Sequence, residues 1–214
     1  MYLPGHFAES RPEVLHAFVE AHPFGLLVTN SVDGQLDSNG IPFLLDADPA
    51  GGPGILRGHV ARANPLWQAG RAEGESLVVF QGPHAYVSPS WYPTKSEHGK
   101  VVPTWNYCMV QARGPVRAIE DAAWLHAFVS RLTDRHEQGR AGPWAVSDAP
   151  ADYVTSMLRA IVGIEIVLVA LTGKWKVTQN RSAADREGVA RGLVAEAAGP
   201  GAELAAQVRD PGSP

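Results

Sequence analysis

Apolar residues recur along this chain in two rhythms. The first is helical: Val14, Leu15, Phe18 and Val19 share one face of residues 9–21, with Ser10 placed as an N-cap and Pro12 in the first turn. His22-Pro23 then stops the helix. The second rhythm is that of strands. Residues 24–30 carry Leu26, Leu27 and Val28 as a buried strand, Asp33-Gly34 signals a turn, and residues 36–45 form the second arm, with Pro42 marking an edge or a bulge. A loop rich in Asp, Pro and Gly covers 46–54. A strand over 55–60 and a short helix over 61–70, with Pro65 near its start, come next. Residues 76–80 and 85–87 are two further strand runs, 88–100 a surface loop, and 104–119 one long strand bent at Gly114-Pro115.

Trp124, Phe128 and Leu132 recur at four-residue steps behind Asp121, which predicts a capped helix. Residues 140–152 read as a loop and 153–160 as a short helix. Ile164, Ile166, Leu168 and Ala170 alternate within a strand spanning 163–177. Ser182 opens a last helix with Asp185 at N3 as a capping box and Val189 and Leu193 on one face. From Gly199 onward Gly, Ala, Pro and Ser predict a fraying tail. Many strands without regular strand–helix alternation imply a mainly β (α+β) fold, a largely antiparallel barrel with peripheral helices, which also hides strand edges. One domain over 1–198 and a flexible tail over 199–214 are expected.

Charge and composition remove several function classes. Eighteen basic against 22 acidic residues leave a net charge of −4, so bulk electrostatics gives no help to nucleic-acid binding. A single cysteine, Cys108, excludes an internal disulfide and a multi-cysteine zinc site. The N-terminus has no basic segment followed by an apolar one, and the most apolar stretch, 160–171, is interrupted by Gly163 and Glu165 and too short to span a bilayer. A cytoplasmic, soluble protein is expected. The eight histidines are scattered without a metal-ligand pattern, so no metal is expected, and no nucleotide-binding or nucleophile motif assigns a catalytic residue.

Four segments carry polar chemistry. In 58–65 (GHVARANP), Arg62 offers a forked cation for a phosphate, His59 a donor and Gly58 close backbone approach; a core-edge histidine and a surface arginine would read the same way. In 80–92, Gln81 has donors and an acceptor for the polar edge of a ring system, and Tyr86, Trp91 and Tyr92 form either a stacking wall or a packed hairpin. In 102–107, Trp105 and Tyr107 share one strand face and Asn106 takes the other, while Cys108 among apolar neighbours reads as an inert core thiol. In 173–181 two lysines, an arginine, a glutamine and an asparagine suit an anionic partner or a solvated strand end.

Together with Met1-Tyr2-Leu3-Pro4, Ile41-Pro42-Phe43-Leu44-Leu45, VVFQGPHAYVSPSWYP at 78–93, GKVVPTWNY at 99–107, DAPADYVTSMLRAIVGIEI at 148–166 and GKWKVTQNR at 173–181, these segments resemble the PaiB family. The resemblance implies an FMN-binding split β-barrel, usually a homodimer with FMN between subunits, and a negative transcriptional regulator acting on DNA or through a regulatory protein. It places His59, Arg62 and Asn64 at the FMN phosphate, Gln81, Trp105 and Asn106 near the ring, and Lys174, Trp175 and Lys176 reaching in from the partner subunit. The chain departs from it at Gly40, where members often carry a histidine. Two alternatives stand beside the regulator: an FMN-dependent oxidoreductase, in which the cofactor supplies the redox chemistry, and a split barrel that has lost flavin, which Gly40 keeps open.

Overall fold

The alternating segments become nine strands, with six helices, among the described residues of a computed structural model, which cover 1–68, 72, 74–196 and 200–212. In chain order they are β1 (Ala8–Glu9), α1 (Pro12–Ala21), β2 (Phe24–Asn30), β3 (Leu36–Pro42), β4 (Leu44–Asp46), β5 (Ile55–Ala61), β6 (Glu75–Val87), α2 (Lys95–His98), β7 (Thr104–Ile119), α3 (Ala122–Glu137), α4 (Ala151–Arg159), β8 (Ile161–Val167), β9 (Ala170–Lys176), α5 (Ala183–Glu196) and α6 (Pro200–Arg209). The two runs expected on either side of Gly82-Pro83 form one continuous strand, β6. The single strand expected over 163–177 is broken in two, because Leu168 and Val169 donate to the carbonyls of Gly54 and Arg113. No described helix is long and apolar enough to cross a membrane.

Where one domain is expected, the fold resolves into two compact units. One comprises Met1–His22, Phe80–Gln111 and Leu171–Pro214; the other Pro23–Val79 and Ala112–Ala170.

In the second unit, β2 pairs antiparallel with β3 from Phe24↔Pro42 to Asn30↔Leu36 around Gly34, which supplies the turn's positive φ of 79°. The start of β6 lies against the other edge of β2, Leu26↔Val79. β5 pairs with both β4 and β8, and the end of β7 with β8 through Val116↔Ile166. Alternation buries Leu27, Ile41, Leu56, Val78, Ile164 and Ile166, each contributing about 1.5–3 kcal/mol by leaving water. Asp121 caps α3 by accepting from Trp124 N–H at 2.6 Å, as the sequence predicts. Gly114 is required where it stands: a Cβ there would strike the Val167 carbonyl oxygen.

In the first unit, β1 pairs with β9, and α1 buries Leu15, Phe18 and Val19. The cap of α1 differs from expectation. The N-cap residue is Arg11, not Ser10, and no side chain caps the helix; Glu9 accepts the backbone N–H groups of Ser10 and Arg11, just ahead of it, at 3.0 and 2.9 Å. The box expected at α5 is one-sided. Ser182 Oγ accepts the Asp185 N–H at 3.2 Å, but the Asp185 carboxylate is taken by the N–H and hydroxyl of Thr94. The tail expected to fray from Gly199 is corrected by α6, in which Leu204, Ala205 and Val208 are fully buried.

Candidate functional site

The segment 58–65 lies wholly in the second unit. The helix expected over 61–70 is a single 3-10 turn, Pro65–Trp67, with residues 69–71 outside the described ones, so it offers no stack of aligned dipoles for an anion. Asn64 caps that turn, accepting from Leu66 N–H at 2.9 Å, and donates to Asn39 at 2.7 Å. Arg62 spends its fork internally: Nε donates to the Arg159 carbonyl (2.8 Å), Nη1 to Glu120 (2.6 Å) and Nη2 to the Ile161 carbonyl (3.2 Å). The guanidinium also stacks on Trp67. It therefore clamps the junction between α4 and β8. Arg62→Ala is expected to cost about 1–2 kcal/mol by orphaning two carbonyls and Glu120, measured by urea denaturation, with a smaller effect on FMN affinity than substitution at Arg181, described below.

His59 sits edge-on to Phe128 at 5.8 Å, and its Nδ1 is buried with no hydrogen-bond partner. Burial pushes its pKa below the usual 6.5, so the folded protein holds it neutral. The unfolded chain then binds more protons just below pH 6.5, and this stability, full above that pH, is lost as pH falls toward the folded pKa. His59→Leu is expected to flatten that part of a stability–pH curve measured by thermal melts.

The remaining predicted residues lie in the first unit, sorted by the alternation of β7. Outward, Gln81, His84, Trp105, Tyr107 and Met109 line a shallow cavity of about 260 Å³. Trp105 Nε1 donates to His84 Nδ1 at 3.2 Å and the two rings stack. Trp105 and Tyr86 are each half exposed, an aromatic shelf. Inward, Asn106 is fully buried. Its amide group reaches Thr178 Oγ1 at 3.5 Å, and its Oδ1 has no partner.

The three residues of 174–176 divide by the pleat of β9. Lys174 donates to the Tyr2 carbonyl at 2.9 Å and lies over Tyr2 and Tyr107. Trp175 is buried within its own unit, its Nε1 donating to Gln207 at 2.8 Å and its ring edge-on to Phe18; it is core and does not reach outward. Lys176 donates to Thr104 Oγ1 (2.5 Å) and the Trp105 carbonyl (2.6 Å). Burial, then the neighbouring Lys174, pull its pKa below 10.5.

Thr104, Asn106, Lys176, Thr178, Asn180 and Arg181 converge on a cleft of about 120 Å³. No carboxylate lines it. The Arg181 guanidinium stacks on Tyr92 at 5.3 Å and has no acceptor among the described residues. Thr178 has φ +61°, an outlying backbone state for a β-branched residue that costs about 1–3 kcal/mol and concentrates at functional sites. The kink turns the chain out of β9 and delivers Asn180 and Arg181 to the cleft. Two cations and an orphaned acceptor, with no counter-charge, suit a ligand that joins an anion to a hydroxyl or N–H donor. Thr178 and Arg181 belong to the donor-rich run 173–181, but no sequence pattern announces the positive φ that turns them inward.

The chain matches the family model described as "Putative FMN-binding domain" over residues 1–170. It is similar to an uncharacterized protein of Aspergillus fumigatus, 37% identical over 90% of each chain. It is also similar to the "Protease synthase and sporulation protein PAI 2" of Bacillus subtilis, 31% identical over 86% of this chain and 85% of that one. Among solved structures, a conserved hypothetical protein from Mycobacterium tuberculosis shares the fold at TM-score 0.58 and 14% identity, covering 85% of this chain and 94% of that one. The FAD and heme binding protein from Mycobacterium smegmatis does so at TM-score 0.57 and 18% identity, covering 79% and 73%.

Proposed function

We propose that this chain, which belongs to the PaiB family of FMN-binding proteins, is a flavin-responsive negative regulator of transcription that works as a homodimer and through a protein partner. The observation that carries the reading is the carboxylate-free cleft at Lys176 and Arg181, set in a chain of a family whose cofactor is FMN.

The residues fit the cofactor. A phosphomonoester carries close to two negative charges, matched by Lys176 and Arg181. Asn106 Oδ1, buried and unpartnered, accepts from a ribityl hydroxyl. Asn180 and Thr104 add polar groups to the same wall. When bound, FMN supplies reversible redox chemistry, and the protein supplies positioning and electrostatics. In this reading Arg62 braces the junction of α4 and β8, Asn64 ties its turn to Asn39, and the phosphate is left to the first unit.

The homodimer is supported by the exposed aromatic shelf of Trp105 and Tyr86. Strand alternation turns this shelf away from the side on which Asn106 faces the cleft, so a flavin anchored at Asn106 leaves the shelf for a second copy. Gly40 has a local explanation within β3. It pairs with Leu26, and the Phe24 ring fills the space a side chain would take.

An indirect output is supported by charge. Acidic residues outnumber basic ones 22 to 18, so the chain lacks the basic excess that binding along a phosphate backbone draws on. The test is twofold. Titrating the flavin-free homodimer with FMN should saturate at one per chain. Retention of a protein from its native lysate should change between oxidised and reduced flavin, with no shift of its own upstream DNA even at low salt. A DNA shift at low salt overturns the indirect route, and absence of FMN binding overturns the reading.

A further inference from the structure

The first unit contains a third, larger cavity, of about 450 Å³, that the FMN reading does not use. Its floor is one face of α1: Val14, Ala17, Phe18 and Ala21 recur at helical spacing and present hydrocarbon. The opposite wall comes from α6, where Glu203 and Gln207 stand one turn apart, and Trp175 closes the base. This wall lies beyond residues 1–170, the part of the chain shared with the FMN-binding domain.

The polar groups of this cavity are all of one kind. Glu13 and Glu203 bring carboxylates to its rim. The sole basic group in the lining, His22, is already paired with Glu203 at 3.2 Å. The Gln207 carboxamide oxygen accepts from Trp175 Nε1 at 2.8 Å and from Gly212 N–H at 2.9 Å, so both its lone pairs are used and the side chain is held in place as wall. Phe18 and Trp175 meet edge to face at 5.1 Å and offer aromatic surface, which attracts a cation. The volume is within the range of small-molecule sites, roughly 300–1,000 Å³.

We infer that this cavity is a binding site for a small organic amine: a hydrocarbon or aryl body seated against α1, with a protonated nitrogen at Glu203 and Glu13. An anion would meet the carboxylates of Glu13 and Glu203, and like charges repel. A sugar or other polyol would leave its hydroxyls against Val14, Ala17 and Ala21.

Calorimetric titration of the FMN-loaded full chain with phenylbutylamine, phenylbutanol and phenylbutyrate tests this. The amine should bind saturably, one per chain, and at least about tenfold more tightly than the acid, the worth of one charge-assisted contact. Glu203→Gln should weaken the amine about tenfold and leave the alcohol unchanged. Ala17→Trp, which fills the cavity, should abolish amine binding while FMN still saturates at one per chain. Equal binding of amine and acid, no saturable amine binding, or full amine binding in folded Ala17→Trp would each overturn the assignment. If Ala17→Trp does not fold, the amine–acid contrast and Glu203→Gln still decide.

Discussion

Changing Lys176 to Met and Arg181 to Gln in one chain is expected to weaken FMN binding by at least about a hundredfold. In the proposed site each residue would contribute a charge-assisted hydrogen bond to the phosphate, worth about 1.5–3 kcal/mol, and a factor of ten is about 1.4 kcal/mol. The two losses fall on one phosphate, so they will not add simply, but even the lower figures together exceed two factors of ten. The measurement is quenching of FMN fluorescence on titration with flavin-free protein. Riboflavin is the internal control. It lacks the phosphate, so its affinity should be the same for the parent and the double variant. If riboflavin loses as much as FMN, the cleft does not hold the phosphate.

The two single variants separate binding from structure. Among the described residues the Arg181 guanidinium stacks on the Tyr92 ring and has no acceptor, so Arg181→Gln should leave the melting temperature nearly unchanged. Lys176 also supports Thr104 and the Trp105 carbonyl, so Lys176→Met carries a modest stability cost as well. Lys176 has its pKa pulled down, first by burial and then by Lys174. Binding a phosphate supplies the missing counter-charge and raises that pKa again. FMN affinity should therefore fall on the alkaline side, as Lys176 loses its proton in the free protein.

The strands were legible because most are written in period two. Leu27 and Leu56 alternate with exposed or half-exposed neighbours, and this decides both element and face; β8 is buried from Val162 to Ile166 on both faces, and only its apolar, β-branched run marks it as a strand. The cap of α3 was legible because Asp121 is a local device acting three residues ahead. The cap of α1 was not, since Ser10 two residues before Pro12 fits the N-cap pattern, yet the helix starts behind Arg11 with no side-chain cap and Glu9 instead orders the N–H groups of Ser10 and Arg11. At the site, the residue types were readable and their commitments were not. Arg62 looks free in sequence because Glu120 and the carbonyls of Arg159 and Ile161 lie 58 to 99 residues away. Arg181 looks like a strand-end cation because nothing in Val177-Thr178-Gln179 signals a left-handed threonine.

The C-terminal segment gives the sharpest contrast between composition and packing. Gly199 to Pro214 is rich in Gly, Ala and Pro, and composition alone predicts no contribution to stability. The structure predicts a large one. Leu204 is fully buried in α6, as are Val189 and Leu193 in α5. Leu204→Ala removes most of a buried side chain and leaves a cavity, at a cost of about 3 kcal/mol. For a chain of this size that corresponds to a fall in Tm of roughly 6–12 °C, read by thermal denaturation of the FMN-free protein so that ligand binding does not mask it. A frayed tail would show no change at all. The α5–α6 pairing explains why alanines suffice here: Ala190 and Ala205 are both fully buried, and small side chains let two helices approach closely enough to exclude water. The apolar pattern over 200–209 is short and interrupted, so its burial is set by the partner helix and not by its own periodicity.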